Sequence, residues 1–151
     1  MHEDSEELLK LDRQVCFALA VASRSIIAFY RPILEPLGLT HPQYLVMLAL
    51  WDRSPMRFGE LAETLQLDPA TLSPIVRRLE AMGLITRTAA PTDARVVELA
   101  PTAAGRALRQ KALAVPGAVL ERLGIPLERL EALRDELNEL IAATRGTPRS
   151  A

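Results

Sequence analysis

Residues 57–101 set two helical periods and two strand-like runs in an order that few folds accommodate. From Phe58 onward, Phe58, Leu61, Ala62 and Leu65 fall on one helical face. Gln66 and Leu67 leave room only for a tight turn. Asp68 followed by Pro69 then reads as a second helix start, a carboxylate able to accept free backbone N–H groups ahead of a proline at the first helical position. In that helix Leu72, Ile75, Val76, Leu79 and Met82 point inward, and Thr71, Ser73, Arg77 and Arg78 face the other side. Gly83 closes it as a C′ glycine. Two β-type runs follow, residues 84–88 and 96–99, joined by residues 89–94. The order is that of a helix-turn-helix with a β-hairpin wing, so the expected fold is mostly α with a minor β part.

A helix of this kind fits the DNA major groove, where base edges carry a distinguishing pattern of donors and acceptors. Thr71 and Ser73 are short enough to touch bases or phosphates. Arg77 and Arg78 are adjacent and point about 100° apart, one toward the groove and one along its flank. Arg95 in the wing would meet a phosphate or the minor groove. The plainer alternative is a packed helix pair with a solvated charged face, and the wing weighs against it.

Composition adds little to this reading. At 151 residues and 49% hydrophobic content, one domain with a real core is expected. The net charge is −1, so no global basic signature marks a nucleic-acid binder. Between residues 57 and 95, five arginines (57, 77, 78, 87, 95) meet five acids (60, 63, 68, 80, 93). Binding must therefore depend on where the charges point, and affinity should still fall steeply with salt. No uninterrupted apolar run of roughly 18 residues is seen, so no membrane span is expected. The acidic start of the chain does not read as a secretory signal. A single cysteine excludes an intramolecular disulfide and suits a reducing cytoplasm. The chain has no metal-spaced Cys/His cluster, no glycine-rich phosphate loop and no nucleophile elbow, so neither a cofactor nor a metal is expected.

Outside the central stretch the pattern is helical. Leu8, Leu11, Val15, Leu19, Ala22, Ile26 and Phe29 recur at spacings of three and four, which predicts one helix from Leu8 to about Tyr30, closed by Pro32. Phe17, Ala18 and Ile27 lie off that stripe, so one side of the helix is expected to bury against a second subunit. Residues 32–38 read as a connector. Thr40 and Gln43 form a capping box for a helix through Tyr44, Leu45, Leu48 and Trp51, mostly core, that stops near Pro55. After the wing, Pro101-Thr102 opens a helix through Ala107, Leu108, Ala112 and Val115, which Pro116-Gly117 should kink or interrupt. The last helix follows a break at residues 124–126 and carries a leucine seam: Leu127, Leu130, Leu133, Leu137, Leu140 and Ile141. Residues 144–151 read as frayed.

A helical frame around a winged helix-turn-helix resembles the MarR family of bacterial repressors over nearly the whole chain. The matching signals are residues 84–87 entering the wing, Asp93-Ala-Arg95 within it, and residues 101–105 at the next helix start. Four further stretches resemble one subgroup, the organic-hydroperoxide-sensing OhrR-type repressors: residues 11–19 around Cys16, 39–45, 67–74 and 115–117. The resemblance implies a single MarR-type domain over residues 1–151, with residues 1–35 and 102–145 forming a dimerisation frame and 40–101 the DNA-binding lobe. It implies DNA contacts from Asp68, Pro69, Thr71, Ser73, Arg77, Arg78, Asp93 and Arg95. It also implies redox sensing by Cys16 with tyrosines of the partner subunit, one at Tyr30 and one at the position held here by His41, which departs from the pattern.

Without that resemblance Cys16 reads as a small buried hydrophobe. Sensing needs its thiolate, which attacks the peroxide O–O bond to give a sulfenic acid. Tyr30 lies fourteen residues along the same helix, about 21 Å away, so any contact must come from an antiparallel partner helix. An imidazole at position 41 still donates a hydrogen bond, and if cationic it would favour the thiolate more strongly. No second cysteine can resolve the sulfenic acid, so a low-molecular-weight thiol must, or it over-oxidises. The reading is therefore a cytoplasmic, non-enzymatic homodimer that binds a palindromic operator in double-stranded DNA and is released by organic hydroperoxide. Two alternatives stand beside it: release by a small aromatic ligand with Cys16 structural, and a thiol peroxidase, for which no second residue is found.

Overall fold

The computed structural model describes residues 2–146. Two compact units divide at Leu113 and Ala114. In the first, α1 (His2–Leu8) is followed by a 3-10 turn (Leu11–Arg13), α2 (Val15–Leu34), a second 3-10 turn (Glu35–Leu37), α3 (His41–Asp52), β1 (Met56–Arg57), α4 (Phe58–Leu65), α5 (Pro69–Ala81), β2 (Ile85–Ala90), β3 (Asp93–Pro101) and α6 (Ala103–Ala112). The second unit holds α7 (Val115–Leu123) and α8 (Leu127–Gly146).

The N-terminal expectation needs correction. The helix predicted from Leu8 is interrupted between α1 and α2, where Lys10 and Gln14 are extended and the Gln14 side chain donates to the Leu8 carbonyl. With no glycine or proline at the break, periodicity alone runs through it. Nor does Pro32 close α2; it sits inside the last turn. Burial of Ile33 and Leu34 offsets the hydrogen bond its missing N–H forgoes. The connector is thus mostly helical, ending at Gly38 with φ +69°. The segment Val15–Leu37 is also long and apolar enough to cross a bilayer by length and composition alone, an 18-residue window of it having a mean hydropathy of 1.4. The arginines at 24 and 31 hid it from a search for an uninterrupted run. Only 11% of that window is buried within the chain, and Val15, Phe17, Val21 and Ile27 stand exposed.

α3 opens with the expected capping box: Gln43 N–H donates to Thr40 Oγ1 (3.4 Å) and Thr40 N–H to Gln43 Oε1 (3.0 Å). Tyr44, Val46, Met47 and Leu50 are its buried residues, whereas Leu45 and Leu48, expected in the core, are exposed. The helix is apolar on every side, so its pattern selects no face. The core of this unit combines those residues with Leu61, Leu72, Val76, Leu79, Ile85 and Leu99.

The central stretch folds as expected in order, with longer strands and one more of them. β3 is the middle strand of a three-stranded antiparallel sheet ordered β1-β3-β2, with Met56 opposite Leu99, Arg57 opposite Glu98, and Ile85 opposite Pro101. α5 ends in a Schellman arrangement, Leu84 N–H to the Leu79 carbonyl and Gly83 N–H to that of Glu80, with Gly83 at φ +74°. Met82, expected inward, is exposed because it is the C-cap residue, beyond the last buried position Leu79.

The junction after the wing is tightly tied. Thr102 N–H donates to the Leu84 carbonyl (3.0 Å) and Thr102 Oγ1 to that of Gly83 (2.6 Å), while Thr102 Oγ1 accepts from Gly105 N–H (3.0 Å). Trp51 Nε1 donates to the Gly105 carbonyl at 2.9 Å, joining α3 to α6.

In the second unit, Pro116 occupies the first turn of α7, where a proline costs nothing because no N–H is needed there. The interruption it was expected to cause therefore falls ahead of it, at residues 113–114. Gly124 ends α7 at φ +64°. Along α8, Leu127, Leu133, Leu140 and Ile141 are exposed, and the helix runs to Gly146. Of the stretch expected to fray, residues 144–146 are helical and residues 147–151 lie outside the described residues.

Candidate nucleic-acid interface and thiol site

α4, the start of α5 and the wing border an open cleft of about 790 Å³. Pro69, Ala70 and Ser73 line its helical wall; Arg57, Arg87 and Arg95 reach it from three different strands; Glu60 and Glu63 enter from α4. Of the residues predicted to meet DNA, Pro69, Ser73 and Arg95 thus share one surface. Thr71, Arg77 and Arg78 are exposed on α5 but do not line the cleft. Asp68 differs from expectation. It is the N-cap residue, yet its side chain makes no bond to the backbone of α5 and instead accepts from Thr71 Oγ1 (3.1 Å). It holds that hydroxyl, an alternative partner that a short polar side chain readily takes.

In the wing, Asp93 Oδ1 accepts from the Arg95 backbone N–H (3.0 Å) and from Arg95 Nε (3.3 Å). These two bonds, with the Arg57 charge nearby, hold the Asp93 carboxyl below its ordinary value. Asp93 is therefore anionic at neutral pH and acts on the arginine, whose side chain is 91% exposed. Arg57 and Arg87 were not singled out as contacts from the sequence. The signal that places them, the pairing of β1 and β2 with β3, is not local.

The residues expected to form a thiol site lie at the two ends of α2 and at the start of α3. Cys16 is exposed in the single chain, so the reading of a buried small hydrophobe is not met within one copy. At the far end Tyr30 meets the His41 ring edge-on, centroids 4.9 Å apart, and Tyr44 at 6.1 Å. Burial raises the Tyr30 phenol above its ordinary value. Burial also raises that of Tyr44, with the neighbouring Tyr30 adding to the effect. Both phenols keep their protons at neutral pH. Burial lowers His41 from its ordinary 6.5, which favours the neutral imidazole at neutral pH. Tyr44, 6% exposed, was read from the sequence as core; its ring contact with Tyr30 makes it part of this group.

A MarR-family model matches residues 39–97. Over 139 residues, 92% of this chain and 95% of the relative, the sequence is 37% identical to the organic hydroperoxide resistance transcriptional regulator of Bacillus subtilis strain 168. The chain belongs to the MarR family. Its fold matches that of reduced AbfR bound to DNA, a protein also solved from Staphylococcus epidermidis, with a TM-score of 0.78 and 26% identity over 93% of this chain and 98% of that one. It likewise matches CouR from Rhodococcus jostii RHA1 bound to p-coumaroyl-CoA, with a TM-score of 0.72 and 30% identity over 87% and 94%. As a MarR-family member it is a transcriptional regulator that works by binding DNA, and not an enzyme.

Proposed function

We propose that this regulator is a homodimeric repressor whose grip on a palindromic operator depends on the oxidation state of Cys16. One α5 enters the major groove of each half-site, the two spaced by about one turn of DNA, and Arg95 reaches the flanking minor groove. Residues 1–35 and 102–145 supply the dimer frame, and residues 40–101 form the reading lobe.

The observation that carries the sensing proposal is the placement of Cys16. It is exposed at one end of a helix whose apolar side is uncovered, while the other end holds Tyr30 packed on His41 and Tyr44. Two copies of α2 packed antiparallel would bring each thiol to the other copy's protonated phenols. The likeness to a hydroperoxide resistance regulator supports the same reading. The Cys16 thiolate attacks the peroxide O–O bond: a sulfur–oxygen bond forms, the oxygen–oxygen bond breaks, and the departing alkoxide takes a proton to leave as an alcohol. Sulfur is oxidised by two electrons and the peroxide reduced. A low-molecular-weight thiol then condenses with the sulfenic acid, losing water. If this strains the frame by a coupling of ~2–3 kcal/mol, operator occupancy shifts by roughly thirty- to over a hundred-fold.

Cys16→Ser tests the proposal. The variant should bind DNA as the parent does and keep binding in cumene hydroperoxide; release equal to the parent's refutes it. A second reading, release by a small aromatic ligand, draws support from the likeness to CouR. Titration of free thiol after mild hydroperoxide treatment separates the two, since an unreactive Cys16 favours the ligand.

A further inference from the structure

The cleft between α5 and the wing implies a contact that the groove-reading residues do not supply, and it rests on the DNA-binding reading above. In a duplex the major and minor grooves are separated by a ridge of sugar and phosphate. If the first turn of α5 lies in one groove and Arg95 in the next, that ridge has to pass through the space between them. That space is the 790 Å³ cleft.

The geometry points to Arg57 and Arg87 as the residues that hold the phosphodiester ridge in this cleft. Arg57 comes from β1 and Arg87 from β2, the two strands that flank β3. Both side chains are exposed, and among the described residues neither is held in an ion pair, so their guanidinium groups can turn to phosphate, the Asp93 carboxylate acting on the Arg57 charge without pairing with it. Arg95, by contrast, is steered by Asp93. The cleft also contains two acids, Glu60 and Glu63. Glu60 is occupied by Arg53, which lies outside the cleft. Glu63 has no such partner among the described residues, so it opposes the phosphates and moderates the affinity.

The assignment predicts changes of opposite sign in one assay. Binding of the dimer to a labelled 30-base-pair duplex of random sequence is followed by fluorescence anisotropy across a salt series, which needs no knowledge of the operator. Arg57→Gln and Arg87→Gln each remove one phosphate contact per protomer, two per dimer. Each should lower the slope of log affinity against log salt by about 1.8, so that over a fourfold rise in salt the parent loses about twelve-fold more affinity than the variant. Glu63→Gln should bind more tightly than the parent. Arg109→Gln, an equal loss of charge on α6 away from the cleft, should leave the slope unchanged. A parent that binds while Arg57→Gln and Arg87→Gln keep its slope overturns the assignment. So does a slope that falls as far in Arg109→Gln, because charge anywhere would then suffice. A parent with no salt-dependent binding sinks the DNA reading itself, and this one with it.

Discussion

Replacing Gly105 with alanine sets a local preference against a tertiary contact, and the structure decides which prevails. Gly105 lies in the first turn of α6, where alanine favours the helix by about 1 kcal/mol. A β-carbon built there, however, falls well inside van der Waals contact with the Leu84 carbonyl oxygen and 3.2 Å from Pro101 Cβ. The Leu84 carbonyl is backbone, and it already accepts from Thr102 N–H, so it has little freedom to withdraw. Overpacking of this kind costs about 1–3 kcal/mol, and displacing the Thr102 or Trp51 hydrogen bond adds about 1 kcal/mol. The balance is a loss of about 2 kcal/mol, which for a chain of this size lowers Tm by about 4–8 °C. Thermal melting followed by circular dichroism, at fixed protomer concentration because association contributes to stability, measures it. Gly105→Ala combined with Trp51→Phe should destabilise by less than the sum of the two, since both loosen one junction. A Gly105→Ala protein as stable as the parent, or more so, refutes the argument by showing that helix preference outweighs the contact.

Three other outcomes follow from the same geometry. Phe17→Asp places a charge on a residue that is 42% exposed in the lone chain and belongs to the uncovered side of α2, and it should convert the dimer to monomer in light scattering after size exclusion. His41 has its folded-state value depressed below 6.5, so below that pH the unfolded chain binds the extra proton more readily. Stability is then complete above about pH 6.5 and declines as pH falls beneath it, and urea midpoints of His41→Phe should be flatter between pH 5 and 7. Thr40→Ala removes half of the capping box of α3 and should cost about 1 kcal/mol, seen as a lower urea midpoint with an unchanged slope.

What could be read from the chain alone was whatever a few consecutive residues decide. Thr40 and Gln43 announce their helix because both partners lie within one turn, and Gly83 ends α5 for the same reason. The spacing of Leu72, Val76 and Leu79 names a buried face in any surrounding. Features that depend on distant partners were not legible. β1 is two residues long and exists only because Met56 and Arg57 meet Leu99 and Glu98 of β3. The cleft, and with it the importance of Arg57 and Arg87, depends on that pairing. Leu45, Leu48 and Met82 are apolar, but nothing in their own neighbourhood says that the chain leaves them exposed. Asp68 shows a subtler limit, since the helix start it marks is real while the bond it was expected to make goes to Thr71 instead.

Trp51 is the chain's only tryptophan, and its indole N–H rests on the backbone carbonyl of Gly105. The protein therefore carries its own optical label at the joint of α3 and α6. The emission maximum of an indole follows its hydrogen bonding and its access to water, so its colour records whether that joint is closed. A wavelength change on adding hydroperoxide, absent from Cys16→Ser, would time the arrival of the oxidation signal there without any dye attached.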